Sequence, residues 1–278
     1  MVCLLLPPAI IARMQIGFSI NETLCLFTLL TGTCWFFWRR RLRRRPAPVS
    51  RPFWALGADL FMVVSLMFVC RVAVADWPKV PTGSMEPTLR VGDYLLVNHL
   101  AYGPRLLFTN TAIEFGRPER GDVVVFRYPL KVSEFYVKRL VGLPGDVVRF
   151  ENGAVSLNGE PFDTSPDETV AAKVEDRGQW LLRESSQGSH RAIKVNPLLQ
   201  GRMPLDLNQP DLAKHCRSEQ RGQWECTVPA GEYLMLGDNR DNSADSRVWG
   251  FLPHGQVYGK AVRVLFNFSD LSRSWTAL

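Results

Sequence analysis

The sequence predicts a mainly antiparallel β domain that follows two transmembrane helices. Three observations support this fold class. Two long apolar segments lie in the first 75 residues, a run of arginines separates them, and short β-branched runs divided by Gly, Pro, Asn and Asp follow. Beyond residue 76, no stretch of ten or more residues has an apolar period of 3.6.

Residues 16–38 form the first predicted transmembrane helix, which follows an N-terminal tail of residues 1–15. Its 23 residues rise about 1.5 Å each, which is enough to cross a hydrocarbon core of about 30 Å. Residues 53–75 supply the second helix and the exit from the membrane. Between them, the positive-inside rule assigns the basic loop 39–52 to the cytoplasm. The remainder is therefore expected outside the cytoplasm, and membrane lipid is an expected partner.

The charge distribution argues against a nucleic-acid-binding protein. The formal net charge is +6, and seven arginines between residues 39 and 51 contribute +7, so the rest of the chain sums to −1. Nucleic-acid binding proteins usually carry a basic patch on the folded domain itself. We therefore assign the arginines to membrane topology and expect no nucleic acid as a partner.

The remainder of the chain is predicted to form a β core in two parts, residues 76–160 and 231–278, on either side of an inserted polar subdomain at 161–230. Asn-Gly pairs at 152–153 and 158–159 are typical of hairpin turns. Seven β-branched or aromatic runs are predicted strands: 94–97, 122–126, 135–141, 147–150, 154–157, 232–236 and 256–266.

Two cysteines of the polar part, Cys216 and Cys226, have two possible roles. With His215 they would make a poor zinc site, because structural zinc needs four ligands. If this part is exported, a disulfide closing a small loop is favoured instead. We expect the disulfide and no metal.

The first candidate for chemistry is Ser84, in the segment PTGSMEPTL at 81–89. A serine after glycine and between prolines lies on a constrained turn that would present a nucleophilic hydroxyl, although the same residues also make an ordinary turn. A nucleophilic serine needs a base. A Ser-His-Asp triad stays open, because triad members are brought together by the fold; the available histidines are His99, His190, His215 and His254.

The alternative base is Lys138, in a predicted strand. Strand alternation puts Tyr136, Lys138 and Leu140 on one face. A free lysine has a pKa of about 10.4, and burial against apolar neighbours lowers it by up to about 3–5 units. Burial would thus make Lys138 a usable base, whereas an exposed Lys138 would be an ordinary ion-pairing residue.

The third candidate segment is GDNRDNSADSR at 237–247. A calcium loop is excluded, because counting from Asp238 the third ligand position is Arg240. Alternating Asp and Arg indicate either ion pairs that hold a tight loop, with Ser243 free to contact another group, or a solvated polar loop.

Taken together, these segments resemble bacterial type I signal peptidases (leader peptidases). The resemblance rests on four motifs in order, which follow two apolar spans: PTGSMEPTL at 81–89, RGDVVVFRYP at 120–129, YVKRLVGLPGD at 136–146 and GDNRDNSADSRVWG at 237–250. It implies the β fold shared by signal peptidases and repressor-type autoproteases. It also implies a membrane-bound serine endopeptidase that removes signal peptides from preproteins after Ala-x-Ala-type sites, at the outer face of the bacterial cytoplasmic (inner) membrane. No cofactor is implied, and the enzyme is expected to act as a monomer.

The resemblance also implies a role for individual residues. Ser84 would be the nucleophile, Lys138 the general base and Ser243 the group that orients the lysine. The Ser84 N–H and the Thr82 hydroxyl would form the oxyanion hole. Asp245 and Arg247 would be a supporting ion pair, and Asp238 and Arg240 would hold the same loop. The substrate pockets would be lined by Val80, Met85, Leu89, Tyr136 and Val137.

Two other functions are alternatives to this one. A Ser-Lys autoprotease of the repressor type shares the β core, but such proteins are soluble and carry DNA-binding segments. A catalytically inactive, membrane-anchored binding protein would share the architecture. The presence of Ser84, Lys138 and Ser243 together argues against the inactive protein.

Overall fold

The computed structural model describes residues 20–44, 51–103, 116–151, 154–166, 180–186, 189–195, 205–220 and 222–278. The predicted N-terminal tail, residues 1–15, lies outside these ranges. The chain divides into two compact units, Met1–Ala73 and Val74–Leu278.

The first unit contains the helices α1 (Ile20–Arg44) and α2 (Ala55–Val69), and a π-helical turn begins at Cys70. The two helices pack on each other through aromatic side chains: the ring centroids of Trp35 and Phe61 are 5.4 Å apart. Most of their large apolar side chains are nevertheless exposed, for example Leu29 at 62% and Leu66 at 65%. None of the described helices meets the combined length and hydropathy expected of a membrane-spanning helix.

The basic loop predicted at 39–52 begins later in the structure. Helix α1 continues to Arg44, so the first five arginines of the run are helical. Arginine has a high helix propensity, and no glycine or proline lies between Gly32 and Pro46 to end the helix at the start of the arginine run.

The second unit is mainly antiparallel β, as predicted. Every predicted strand is present, with ends that differ by four residues at most. The described strands are β1 (Ala75–Asp76), β2 (Asp93–Asn98), β3 (Val123–Tyr128), β4 (Lys131–Gly142), β5 (Val147–Glu151), β6 (Ala154–Leu157), β7 (Glu160–Pro161), β8 (Asp163–Pro166), β9 (Trp180–Ser186), β10 (Ser189–Val195), β11 (Cys216–Gln220), β12 (Gln223–Thr227), β13 (Glu232–Leu236), β14 (Leu252–Pro253), β15 (Val257–Asn267) and β16 (Thr276–Ala277). The described residues of this unit also form two short α-helices, α3 (Pro210–His215) and α4 (Ser246–Trp249), and two 3-10 turns, His254–Gln256 and Leu271–Arg273.

These strands form three sheets. The largest has the order β1-β2-β15-β3-β4-β13-β14, with β16 paired to β15; the others have the orders β11-β12-β5-β6-β7 and β10-β9-β8. Alternation explains why these segments are strands: along β2, buried residues alternate with half-buried ones. The long strand β4 lies between β3 and β13 in the largest sheet, and its last five residues, 138–142, are buried.

The polar segment 161–230 is not uniform in structure. Strands β8 to β10 form a sheet of their own, whereas β12 pairs with β5 in register Cys226 to Val148. Trp224 of β12 stacks on Phe150 of β5 at 5.3 Å between ring centroids. Part of this segment therefore belongs to the hydrophobic core, because its alternate residues Trp224 and Cys226 are buried in one cluster with Val148 and Phe150 of β5.

A disulfide joins Cys216 of β11 to Cys226 of β12, where the two residues face each other across the strand pair. Replacing both cysteines with alanine should lower the free energy of unfolding by about 2–3 kcal/mol, since the cross-link restricts the unfolded chain. Urea unfolding of the purified protein, followed by tryptophan fluorescence, measures the change. Replacing the free thiol Cys25 with alanine is the control; an unchanged urea midpoint in the double variant would contradict the prediction.

Candidate active site

Ser84 lies on a turn-rich segment between β1 and β2. Main-chain hydrogen bonds from Glu86 N to Gly83 O (3.1 Å) and from Leu89 N to Met85 O (2.9 Å) hold the turns. Met85 and Leu89 are fully buried and anchor the segment from below, whereas Ser84 is only half-buried. The segment thus holds the serine hydroxyl in a fixed position.

Lys138 lies on β4, opposite Val124 of β3, and only 3% of it is exposed. Its Nζ donates to Ser84 Oγ at 2.6 Å and to the Val137 carbonyl oxygen at 3.1 Å. The structure therefore brings together the serine and the lysine that strand alternation had singled out, although they are 54 residues apart in the sequence.

Burial lowers the pKa of Lys138 from its ordinary value to about 8. Desolvation disfavours the ammonium form; the charges of Asp245 and Asp238 oppose this effect, and the charge of Arg247 adds to it. The neutral amine is therefore accessible near neutral pH, which a proton acceptor requires.

Asp245 and Arg247 form the buried ion pair that the resemblance implies. Arg247 Nε and Nη2 each donate to the Asp245 carboxylate at 2.7 Å, and the Gly237 N–H donates to it at 3.0 Å. Burial raises the pKa of Asp245, but the Arg247 charge and these hydrogen bonds outweigh burial and hold the pKa below its ordinary value. Arg247 Nη2 also donates to the Arg240 carbonyl oxygen at 2.7 Å, which closes the 237–247 segment on itself.

Asp238 and Arg240 hold this segment through partners elsewhere in the fold. Asp238 accepts from Arg139 Nε at 2.8 Å and Nη2 at 2.6 Å, and Arg240 forms two hydrogen bonds with Glu184 of β9 at 2.8 and 2.6 Å. The sequence analysis missed both partners. Arg139 lies inside a predicted strand, where a charged residue pointing away from the Lys138 face could have signalled a buried pair. Glu184 carried no signal in the sequence.

Ser243 does not form the hydrogen bond to Lys138 that the resemblance implies. Its Oγ is buried and has no hydrogen-bond partner within the described part of the chain. The side chain packs against Gly237: a Cβ on Gly237 would lie 2.2 Å from Ser243 Oγ and 2.5 Å from the Ser84 carbonyl oxygen. Ser243 and Ser84 therefore flank one glycine, and Ser243 acts in this structure as a close neighbour of the lysine site, not as its hydrogen-bond partner.

The two residues implied for the oxyanion hole lie close together. Thr82 Oγ1 lies 3.4 Å from Ser84 Oγ. Asn239, which the sequence analysis did not single out, holds the main chain here: its N–H donates to the Ser84 carbonyl oxygen at 3.1 Å and its Nδ2 to the Gly83 carbonyl oxygen at 3.0 Å. Both carbonyl oxygens are thereby hydrogen-bonded to Asn239.

A cleft of about 610 Å³ opens beside Ser84 and Lys138. Its walls are two chain segments that run through residues 78–84 and 134–138, and Leu95, Val125, Asn242 and Ala244 complete the lining. Val80, Tyr136 and Val137 line the cleft as expected. Met85 and Leu89 do not, because both side chains point into the core below the turn, where they pack in a cluster that includes Val80.

The described histidine side chains contact other groups. His99 packs edge-on against Tyr258 at 4.4 Å, His254 is hydrogen-bonded to the Tyr233 hydroxyl at 2.8 Å, and His215 faces Phe251. None of these three lines the cleft. The side chain of His190 lies outside the described part. The described geometry thus favours lysine as the partner of Ser84.

A half-buried serine that contacts a buried lysine beside an elongated cleft has the geometry of a hydrolytic site. The family model "Signal peptidase, peptidase S26" matches residues 53–266. Signal peptidase I of Pseudomonas aeruginosa is 37% identical over 226 residues, which cover 77% of this chain and 72% of that protein. Signal peptidase I of Aquifex aeolicus is 31% identical over 224 residues, 75% of this chain and 82% of that protein. The chain belongs to the signal peptidase family, peptidase S26, and is a peptidase of that family.

One solved structure, a signal peptidase I from Enterococcus faecalis, is 26% identical in an alignment that covers 52% of this chain and 96% of that chain. Its TM-score is 0.30, which is too low to support a comparison of the two folds.

Replacing Gly237 with alanine should lower kcat by about 10²-fold, because the new methyl group would displace both Ser243 and the Ser84 main chain. Initial rates of cleavage of a preprotein, measured with the folded variant, test this. Gly255→Ala is the matched control, since a Cβ there meets no atom within 4 Å. Equal rates in both variants would show that the glycine is not needed for the site.

Proposed function

We propose that this chain removes N-terminal signal peptides from exported preproteins with Ser84 as the nucleophile and Lys138 as the general base. The observation that carries this proposal is the 2.6 Å contact between Lys138 Nζ and Ser84 Oγ, in a site where burial lowers the pKa of the lysine to about 8. An amine with this pKa is about one-tenth neutral at pH 7, against about one part in 10³ for an ordinary lysine.

The first half of the reaction transfers the signal peptide, as an acyl group, to the serine and releases the rest of the preprotein. Neutral Lys138 accepts the Ser84 proton as Oγ attacks the carbonyl carbon of the last signal-peptide residue. The Ser84 N–H and the Thr82 hydroxyl then donate hydrogen bonds to the oxyanion, where such a donor is typically worth about 10²–10³ in rate. The C–N bond breaks, Lys138 returns its proton to the leaving amine, and the signal peptide remains as an ester on Ser84.

The second half hydrolyses this ester. Lys138, neutral again, takes a proton from water as the water oxygen attacks the ester carbonyl. The C–O bond to Ser84 breaks, and the proton returns from Lys138 to the serine oxygen. The residues already described account for every proton moved, so these steps need no cofactor.

The cleft supports an extended substrate with small side chains. Two chain segments, 78–84 and 134–138, line it and offer main-chain groups to a third, extended strand. In such a strand, alternate side chains face the same way, so residues −1 and −3 would point to the same wall. Val80, Tyr136 and Val137 give the cleft an apolar lining, which fits alanine at both positions.

We further propose that the chain is a multi-pass protein of the bacterial cytoplasmic membrane, with membrane lipid as partner and the β unit outside the cytoplasm. The exposed apolar side chains of α1 and α2 support this placement, and so does the basic run at the end of α1. The Cys216–Cys226 disulfide fits an oxidising compartment. Ser84 follows Trp77 by seven residues, at most about 25 Å of chain, so the site stays near the membrane exit. We propose action as a monomer, without nucleic acid.

Ser84→Ala and Lys138→Ala should each reduce cleavage of a preprotein whose signal ends in Ala-x-Ala by at least about 10³-fold, because each removes one half of the catalytic pair. Gel analysis of the single cut in detergent or vesicles measures the rate. Lys214→Ala, an exposed lysine on α3, is the control. Full activity of Ser84→Ala would refute the nucleophile, and full activity of Lys138→Ala would place the base elsewhere.

The pH dependence should follow the lysine. Lys138 is active only when deprotonated, so kcat/KM should fall about tenfold per pH unit below about pH 8 and level off above it. Rates between pH 5.5 and 10, with folding checked by circular dichroism at each pH, provide the test. A rate that does not change between about pH 6 and 9, or an inflection near the ordinary lysine pKa of about 10.4, would contradict this assignment.

A further inference from the structure

The hairpin of β9 and β10 carries a buried carboxylate with no part in the chemistry described so far. Glu184 on β9 is 1% exposed. It accepts from Arg240 Nη1 at 2.8 Å and Nη2 at 2.6 Å, and from Arg191 Nε of β10 at 2.6 Å. Burial raises the pKa of Glu184, but the two arginine charges outweigh burial, so its pKa lies below the ordinary value and the carboxylate stays ionised.

The same hairpin also binds the main chain next to Arg240. The Lys194 N–H donates to the Asp238 carbonyl oxygen at 2.8 Å, and the Arg240 N–H donates to the Lys194 carbonyl oxygen at 3.0 Å. Lys194 Nζ donates to Glu86 Oε2 at 2.9 Å, two residues beyond the serine. Side-chain and main-chain contacts of one hairpin therefore converge on residues 238–240.

These three residues in turn hold the nucleophile. The Asn239 N–H donates to the Ser84 carbonyl oxygen at 3.1 Å, and Asn239 Nδ2 donates to the Gly83 carbonyl oxygen at 3.0 Å. Residues 238–240 thus lie between the hairpin on one side and the serine turn on the other. A displacement of Arg240 would be passed on to Ser84 through the single intervening residue Asn239.

The charge balance makes Glu184 hard to replace. Arg240 is buried, and Glu184 is the carboxylate that it contacts with both Nη atoms. Without Glu184, two buried guanidinium groups would lack their counter-ion, a state that proteins avoid by moving the charge toward water. Arg240 could reach water only if residues 238–240 also moved.

We propose that Glu184 is a positioning residue for the peptidase reaction, which holds residues 238–240, and through Asn239 the Ser84 main chain, in the geometry that contacts Lys138. This inference rests on the proposed role of Ser84 as the nucleophile. It gives the hairpin in the polar segment 161–230 a function, which is to hold residues 238–240 and, through them, the Ser84 turn.

The test compares Glu184→Gln with Asp146→Asn in the full-length protein. Asp146 is a matched control, because it too is a buried carboxylate paired with an arginine, Arg120 at 2.8 Å, but it contacts none of the catalytic residues. Both variants should have a lower unfolding temperature. Below that temperature, Glu184→Gln should lower kcat by about 10- to 100-fold with KM within about twofold, whereas Asp146→Asn should keep the wild-type kcat.

Glu184→Asp supplies a second variant, in case the glutamine variant fails to fold. It keeps the charge but is one methylene shorter, so it should regain part of the lost kcat. A wild-type kcat in folded Glu184→Gln or Glu184→Asp would overturn the positioning role, and so would an equal loss of kcat in Asp146→Asn. Ser84→Ala, assayed alongside, separates the two proposals. If Ser84→Ala cleaves, the nucleophile assignment fails and this inference falls with it; if it is inactive while the Glu184 variants have wild-type kcat, only the positioning role is lost.

Discussion

The chemistry of this fold depends on the burial of one amine. Lys138 can act as a base only if its ammonium form is disfavoured, and the main cause of that effect is removal from water on the central strand β4. Two nearby carboxylates, Asp245 and Asp238, pull the other way. The charge of Arg247 offsets part of this pull, so the requirement for a low pKa favours carboxylates that are paired with arginines.

This requirement explains why the 237–247 segment contains so many buried charges. Arg247 pairs with Asp245, Arg139 with Asp238 and Arg240 with Glu184, and every one of these side chains is less than a tenth exposed. Breaking a buried pair by removing one partner typically costs about 3–5 kcal/mol, because the other charge is left without compensation. These three buried pairs therefore hold a short loop that has few apolar residues. Its neighbours Ser84 and Lys138 can then keep a 2.6 Å contact although they come from distant parts of the chain.

Local pattern was enough to predict seven of the described strands and to single out Ser84 and Lys138 as candidates, whereas their roles as nucleophile and base came from the resemblance. Long-range partners were not predictable from local pattern. Alternation along 135–141 predicted β4 and put Lys138 on the same face as Tyr136 and Leu140, because a period of two is a property of neighbouring residues. The partner of Arg240 depends on how β9 packs against a loop 56 residues away, and no local pattern contains that information. Met85 and Leu89 were assigned to the substrate pockets through the resemblance alone. The direction in which a turn points its side chains depends on the packing beneath it, and here both side chains lie in the core.

In the proposed reaction, strand β4 also couples reactivity to substrate choice. Lys138 is the proposed base, the preceding residues Tyr136 and Val137 line the cleft, and the next residue, Arg139, pairs with Asp238. One strand therefore sets the position of the base, the apolar wall and the anchor of the 237–247 segment. Because successive residues of a strand alternate in direction, a shift of β4 by one residue would exchange the base and the anchor. Register of this strand, held by β3 on one side and β13 on the other, is thus the constraint that joins the fold to the proposed reaction.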